Sequence, residues 1–264
     1  MDLGLRGKTA LVTGSTAGIG FAAAKGLAEE GAHVLVNGRT EARAAAAREA
    51  ILRDVPNASV AVAVADLSTA AGVAALVRAF PEVDVLVNNL GIFEPKPFEQ
   101  IPDEDWLRFF ETNVMSGVRL SRAYFPGMLA RDWGRIVFVS SESAVQIPAE
   151  MIHYGVTKTA QVALARGLAE LTSGTKVTVN TVLPGPTWSE GVSQFVADLG
   201  ASQGMDPQTA EKDFFVNARP SSLLKRFSTP EEVANMIVFV CSVRAAATNG
   251  AALRVDGGTV RALL

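Results

Sequence analysis

The stretch Thr9-Ala10-Leu11-Val12-Thr13-Gly14-Ser15-Thr16-Ala17-Gly18-Ile19-Gly20, followed directly by Phe21-Ala22-Ala23-Ala24, decides how the rest of the chain is read. Its opening residues read as a β-strand and its closing residues as the start of a helix. Three glycines stand where one must turn sharply into the other. Glycines at such a turn let backbone N–H groups approach an anion, and the positive end of the helix behind them favours a pyrophosphate. The spacing Gly-x-x-x-Gly-x-Gly differs from the commoner Gly-x-Gly-x-x-Gly and from a phosphate loop, which ends in Gly-Lys-Ser/Thr. A tight turn with no ligand has the same local composition. Position between a strand and a helix, inside a βαβ unit, is what makes this turn informative.

Outward from the turn, short β-branched runs alternate with Ala- and Leu-rich runs. Residues 9–12, 34–37, 60–64, 83–88, 135–139 and 177–183 read as strands, most of them almost continuously apolar. That pattern suits parallel strands covered on both faces. Residues 20–30, 41–53, 70–80, 103–130 and 152–171 carry helical composition. Pro102 and the acidic Asp103-Glu104-Asp105 suit a helix start, and Thr229-Pro230-Glu231-Glu232 opens a last helix before a final strand near 253–255. The alternation predicts an α/β fold: a Rossmann-type, doubly wound parallel sheet with right-handed crossovers, built as a single domain over residues 1–264. The rhythm fails only over 184–229. A segment that long inside a compact domain is expected to serve as a substrate lid. Its apolar residues Trp188, Phe195, Phe214, Phe215, Leu223 and Leu224 either face a substrate or pack on the core.

Composition excludes several function classes. Of 264 residues, 48% are apolar and 19% charged, with 24 Lys plus Arg against 27 Asp plus Glu. No basic tract offers itself to nucleic acid or to an anionic membrane. Cys241 is the sole cysteine, which rules out an internal disulfide. With only His33 and His153 beside it, a zinc cage is implausible and no metal is expected. Cys241 lies in an apolar run and reads as a buried structural thiol. The chain shows no secretory signal and no apolar stretch of the roughly 18 residues a membrane span requires, so a cytoplasmic enzyme is expected.

Thr13-Gly14-x-x-x-Gly18-Ile19-Gly20 after the first strand resembles the short-chain dehydrogenase/reductase family, and further marks of that family follow in order. Asn88-Asn89-Leu90-Gly91 closes the fourth strand, Asn113 lies in the next helix, and Ser141 ends the fifth strand. Tyr154 and Lys158 form Tyr-x-x-x-Lys thirteen residues after Ser141, Pro184-Gly185 ends the sixth strand, and Val255-Asp256-Gly257-Gly258 lies near the C-terminus. The match spans essentially the whole chain.

Tyr154 and Lys158, four apart on a helix, share one face. A phenol with a pKa of about 10 exchanges protons poorly at neutral pH. A neighbouring ammonium favours the phenolate and makes Tyr154 a workable general acid or base. Ser141 is placed to hold the substrate oxygen. Taken singly, each of these residues has an ordinary structural reading; their joint order and spacing point to catalysis. The resemblance implies the same roles, contacts from Lys158 to the nicotinamide ribose, and a place for Asn113 in a water-mediated proton relay.

It also implies that Gly14, Ser15, Thr16, Gly18, Ile19 and Gly20 surround the cofactor phosphates. Asp66 and Leu67 border the adenine, Asn88 and Gly91 the riboses, and Pro184, Gly185, Thr187 and Ser189 the carboxamide and phosphates. In dinucleotide folds an acidic residue at the end of the second strand binds the ribose and repels a 2′-phosphate. Here Gly38 takes that position and Arg39 follows it. A guanidinium there suits a phosphate, so NADP(H) is expected as the preferred cofactor, with NAD(H) as the alternative if Arg39 merely faces solvent.

Three features depart from the family pattern. Leu90 replaces the usual alanine, and either reshapes the cofactor floor or points into the core. Glu142 follows Ser141 and His153 precedes Tyr154; each is near enough to meet substrate, although adjacency turns neighbouring side chains apart. The apolar lid leans towards a hydrophobic or acyl-bearing carbonyl substrate, as in 3-oxoacyl reductases. The expected function is hydride transfer between NADP(H) and a carbonyl or alcohol carbon. Rival readings are a dehydratase or epimerase on the same fold, and a dinucleotide-binding redox sensor or scaffold without turnover. The resemblance further implies a homotetramer with the helices over 103–130 and 152–171 pairing across one axis.

Overall fold

In the computed structural model, which describes residues 1–189, 191–193, 196, 200 and 205–263, seven strands form one parallel sheet. These are β1 (Thr9–Val12), β2 (His33–Gly38), β3 (Ser59–Val64), β4 (Val85–Asn88), β5 (Gly134–Val139), β6 (Val177–Pro184) and β7 (Ala252–Val255). Their order is β3-β2-β1-β4-β5-β6-β7, and every neighbouring pair is parallel. This is the expected doubly wound sheet. The order reverses between β1 and β4, so their carboxyl ends flank the crevice where ligands bind in such sheets.

The continuous apolar character of the inner strands has a direct cause. Successive residues of a strand face opposite sides, and both sides are covered. Ala10 and Val12 of β1 face a core shared with α1 (Gly18–Glu29) and the last helix, α8 (Pro230–Cys241), whereas Leu11 faces a second core. The second core lies under α3 (Ala70–Ala79), α5 (Ser116–Ala130) and α6 (Ile152–Glu170). The remaining long helix, α2 (Glu41–Asp54), covers the first face through Ala47 and Ile51. Cys241 is buried in the first core as a free thiol. Thr229 caps α8 in a capping box with Glu232, so the start read from that sequence forms as expected.

Two expectations change. The helix expected over 103–130 is interrupted: α4 (Asp103–Phe110) passes into a π-turn, Glu111–Met115, before α5 begins. The wider i→i+5 turn adds a residue to the coil without breaking it and displaces carbonyls from the usual ladder. Asn113 sits in this turn. Composition does not reveal such a bulge, because every residue in it still has helical backbone character.

The stretch over 184–229 also contains regular structure, in α7 (Pro207–Asp213) and a second π-turn, Phe214–Ala218. Asp206 caps α7 by accepting from the Gln208 and Thr209 N–H groups. Phe214, Phe215 and Phe227 form a separate small core with Val196 and Ala210. Leu223 is 83% exposed. Phe195 lies outside the described residues.

Candidate active site

The glycine turn is held open by side chains whose polar atoms are spent on backbone. Gly14 and Gly18 have φ of +59° and +56°, values that L side chains rarely adopt. Asn37, buried at the end of β2, accepts from the Gly14 N–H at 3.0 Å and donates to the Ala63 and Ala65 carbonyls. The Ser15 hydroxyl donates to the Val12 carbonyl and accepts from the Asn37 N–H, so it locks the turn from inside. Asn89 reaches across from β4 to donate to the Thr13 and Gly14 carbonyls. No side chain caps the first turn of α1, and Gly18, Ile19 and Gly20 line a cavity of about 390 Å³. A Cβ on Gly20 would lie 2.4 Å from Asn89 Nδ2 and 2.5 Å from the Gly14 carbonyl oxygen. Gly20→Ala is therefore expected to cost about 1–3 kcal/mol of stability by overpacking, read as a lower midpoint in denaturant.

β5 and α6 bring the second group of residues to the same cavity. Ser140 and Ser141 leave the end of β5, and the structure separates them. The Ser140 hydroxyl donates to the Lys158 carbonyl and ties β5 to α6, while Ser141 is hydrogen-bonded to Tyr154. Lys158 is only 4% exposed, and its Nζ donates to the Val139 carbonyl at 3.0 Å and to Gln161 Oε1 at 3.2 Å. That Nζ lies 5.6 Å from the centre of the Tyr154 ring. Burial pushes the Lys158 ammonium down to about 8. Burial also holds the Tyr154 phenol above its ordinary range; its bond with Ser141 opposes the rise, the Glu142 charge adds to it, and Arg219 opposes it.

Asn113 is drawn into this group by the π-turn. Its amide donates to the Ile92 carbonyl and to Thr157 Oγ1, and its Oδ1 accepts from the Ile92 N–H. The Asn113 main-chain carbonyl accepts from Gln161 Nε2 at 2.6 Å. A side chain, Gln161, thus joins Asn113 to Lys158, where the resemblance implies a water-mediated link. Gln161 escaped the sequence reading, although a polar residue one turn beyond Lys158 on an otherwise apolar face was a usable signal.

The opposite wall carries charges. Glu142 is buried and lines the cavity. Its Oε2 accepts from the Ser141 hydroxyl at 2.5 Å and from the Ser143 N–H at 2.8 Å, and its Oε1 is 3.1 Å from Arg219 Nε. Arg219 also pairs with Glu150 at 3.0 Å. Neither Arg219 nor Glu150 was singled out from the sequence: Arg219 lies 65 residues beyond Tyr154, in the segment without rhythm, and no local motif marks it. Phe93, Met151, Phe214 and Phe227 complete the wall. His153 turns away and is buried against Trp106 and Phe109, with both ring nitrogens unpartnered.

Pro184, Gly185, Thr187 and Ser189 also line the cavity, and Ser189 packs against Gly18. Gly91 lies beside Lys158 and Asn113, where an added Cβ would come within 3.3 Å of Nζ. Leu90 packs on the second core and against Gly14 of the turn, and it is not among the residues lining the cavity.

The other sequence candidates stand away from this cavity. Arg39 and Asp66 are exposed at the carboxyl edge of the sheet, with Asp66 Oδ1 accepting from Ser68. Leu67 is buried in the second core. Asn88 directs its amide to Ser121 on α5, at 3.4 Å, so its side chain does not meet the cavity. At Gly38 an added Cβ would lie 2.6 Å from the Thr16 methyl, so Thr16 fills the space a side chain would need there.

The family model described as short chain dehydrogenase matches residues 8–200. The chain belongs to the short-chain dehydrogenase family. It is 49% identical over 263 residues to the uncharacterized oxidoreductase YvaG of Bacillus subtilis (strain 168), with complete coverage of both chains. It is 35% identical over 260 residues to D-beta-hydroxybutyrate dehydrogenase of Cupriavidus necator, covering 97% of this chain and 99% of that one. The crystal structure of L-sorbose reductase from Gluconobacter frateurii, complexed with NADPH and L-sorbose, superposes with a TM-score of 0.93 at 35% identity over the whole of both chains. This short-chain dehydrogenase is thus an oxidoreductase by family as well as by the order of its motifs. No helix among its described residues is long and apolar enough to cross a membrane.

Proposed function

We propose that this short-chain dehydrogenase transfers a hydride reversibly between NADP(H) and a carbonyl or alcohol carbon of a small molecule, with Tyr154 as general acid and base. The observation that carries this reading is the placing of Tyr154 and Ser141 on the cavity into which the uncapped start of α1 opens, with the Nζ of buried Lys158 5.6 Å from the centre of the Tyr154 ring. The turn fits a dinucleotide. Gly18, Ile19 and Gly20 of the turn line the cavity at the uncapped start of α1, beside Gly14, Ser15 and Thr16, and an added Cβ at Gly20 has no room. Asp66, Leu67 and Asn88 would flank the adenosine half. Gly91, Pro184, Gly185, Thr187 and Ser189 border the nicotinamide half. The chemistry supplied by bound NADP(H) is hydride donation or acceptance at the substrate carbon.

The protein's own residues handle the oxygen and its proton. Tyr154 gives its proton to the carbonyl oxygen in reduction and takes one from the alcohol in oxidation. Ser141 holds that oxygen, exchanging for it the bond it gives to Glu142; Glu142 keeps Ser143 and Arg219 as partners. Lys158 places a positive charge under the phenol and favours its ionised form. Asn113 and Gln161 hold Lys158 in position. The segment over 184–229 acts as the lid, with Phe214 and Phe227 against the apolar side of the substrate. Exposed Leu107 and Phe110 on α4, and Val156 and Leu171 on and beside α6, support pairing of these helices between copies in a homotetramer. Composition supports a cytoplasmic location.

The absence of a carboxylate at position 38, the Thr16 methyl in its place and the exposed Arg39 together support NADP(H) over NAD(H). Arg39→Ala is expected to raise the KM for NADPH about 10- to 100-fold, the effect of losing a charge-assisted hydrogen bond, and to leave that for NADH nearly unchanged. Steady-state oxidation of both nucleotides, followed by absorbance against a panel of ketones, diketones and 3-oxoacyl thioesters, tests the reaction and this preference together. Turnover with NADH alone would sink the assignment of Arg39.

A further inference from the structure

Glu142, Arg219 and Glu150 form a charged cluster whose arithmetic constrains the substrate. Two carboxylates share a single guanidinium, at 3.1 Å and 3.0 Å, and all three residues line the cavity that holds Tyr154. Arg219 and Glu142 are almost wholly enclosed, with side chains 10% and 7% exposed. That enclosed pair offsets itself, so the net negative charge of the cluster is carried by Glu150, 46% exposed on the cavity wall, and a second carboxylate feels it at contact range, inside the screening length. Hydrogen bonding points the same way. The Ser141 and Ser143 hydroxyls and the Ser143 N–H are all directed at Glu142 Oε2. Once Ser141 turns to the substrate oxygen, Glu142 Oε2 keeps only its Ser143 donors, so a molecule seated against this wall meets that vacated acceptor site and the Glu150 carboxylate, and O–H donors of its own satisfy them. A carboxylate-bearing molecule brings no donor there and adds a third negative charge beside one positive one.

Resting on the reading of the cavity as a dehydrogenase site, we infer that Glu142 and Glu150, bridged by Arg219, are specificity-determining residues that select neutral, hydroxyl-bearing carbonyl compounds and reject keto acids. This narrows the substrate class beyond the apolar leaning of the lid. Phe93, Phe214 and Phe227 take the carbon skeleton, while the Glu142 side takes hydroxyl groups. Arg219 belongs to the 184–229 segment and Glu142 to the end of β5, so the same ion pair fastens that segment over the cavity.

The test uses matched pairs that differ only by CH2OH against carboxylate: 4-hydroxy-2-butanone with acetoacetate, and L-sorbose with 5-keto-D-gluconate. Purified wild type, Glu142→Gln, Glu150→Gln and Tyr154→Phe are assayed with NADPH on all four compounds. The wild type is expected to favour the neutral member of a pair by about tenfold or more in kcat/KM, since like charges brought together at a site are strongly unfavourable. Each glutamine variant is expected to narrow that ratio several-fold, chiefly through a lower KM for the acid. Glu150 is 46% exposed in its side chain, so Glu150→Gln keeps the test decisive if Glu142→Gln fails to fold. Tyr154-dependent turnover in which the acid is used as well as its neutral partner overturns the inference. So does a ratio that neither glutamine variant moves. Turnover of no compound, or turnover that Tyr154→Phe leaves intact, overturns the reading of the site and the inference with it.

Discussion

Tyr154→Phe is expected to lower kcat/KM for carbonyl reduction by about 10²- to 10⁴-fold, the range of a lost general acid, while leaving the protein folded. The substitution removes one oxygen atom. The ring keeps its edge contact with Phe93, and the backbone carbonyl of residue 154 still accepts from Thr157. Only the hydrogen bond with Ser141 disappears, a change of about 1 kcal/mol in stability. Burial holds the phenol above its ordinary range, so the wild-type residue carries its proton at neutral pH and is ready to donate it. Binding of NADPH, measured by fluorescence, should persist in the variant. A variant that kept a tenth or more of wild-type turnover would move the proton donor elsewhere.

Lys158→Met is expected to be catalytically inert and yet more stable than the wild type at neutral pH. The Lys158 ammonium is buried, donates to two neutral oxygens, and forms no ion pair with any carboxylate among the described residues. Its proton affinity falls from 10.5 to about 8 on burial. Between these pH values the unfolded chain binds more protons than the folded one, so stability rises with pH across that window. Below about pH 8 the full penalty of the buried charge is present. A gap of that size corresponds to about 3 kcal/mol; subtracting the lost hydrogen bonds leaves an expected gain of about 1–3 kcal/mol for the methionine variant. Denaturant midpoints from pH 7 to 10 check both parts. The wild type should gain stability as pH rises, the variant should lack that slope, and equal slopes would show that Lys158 is not the group responsible. The comparison also separates function from fold, because the charge to which the proposed mechanism gives a role is a charge the fold would be better without.

How much of this was legible beforehand varies with the range of the interaction involved. The glycine turn, the alternation of strands and helices and the Tyr154–Lys158 spacing are local matters. Periodicity and positive-φ turns report them because neighbouring residues alone determine them. The Asp206 cap before α7 was equally local and readable, from an Asp followed directly by Pro207. The π-turn at Asn113 was not readable, since an i→i+5 turn uses residues of ordinary helical composition and becomes worthwhile only where α6 offers Gln161 to the displaced carbonyl.

The side chains that crowd together from distant segments divide along the same line. Ser141, Tyr154 and Lys158 were identifiable because motif spacing orders them along the chain. Asn88 sits in the right motif, yet packing against Ser121 turns its amide away from the cavity. Glu142 was visible beside Ser141, but its partner Arg219 arrives from 77 residues away with no signal of its own.

The sequence by itself determined the strands and helices of the sheet, the glycine turn and the spacing of Ser141, Tyr154 and Lys158, because backbone hydrogen bonding and the alternation of side chains are set by near neighbours. Only the tertiary structure decided which charges line the substrate wall and which side chain bridges Asn113 to Lys158. Burial and pairing of charged groups depend on what the fold brings within about 4 Å, a distance at which attraction in a weakly screened interior outweighs the loss of water only when a partner is present.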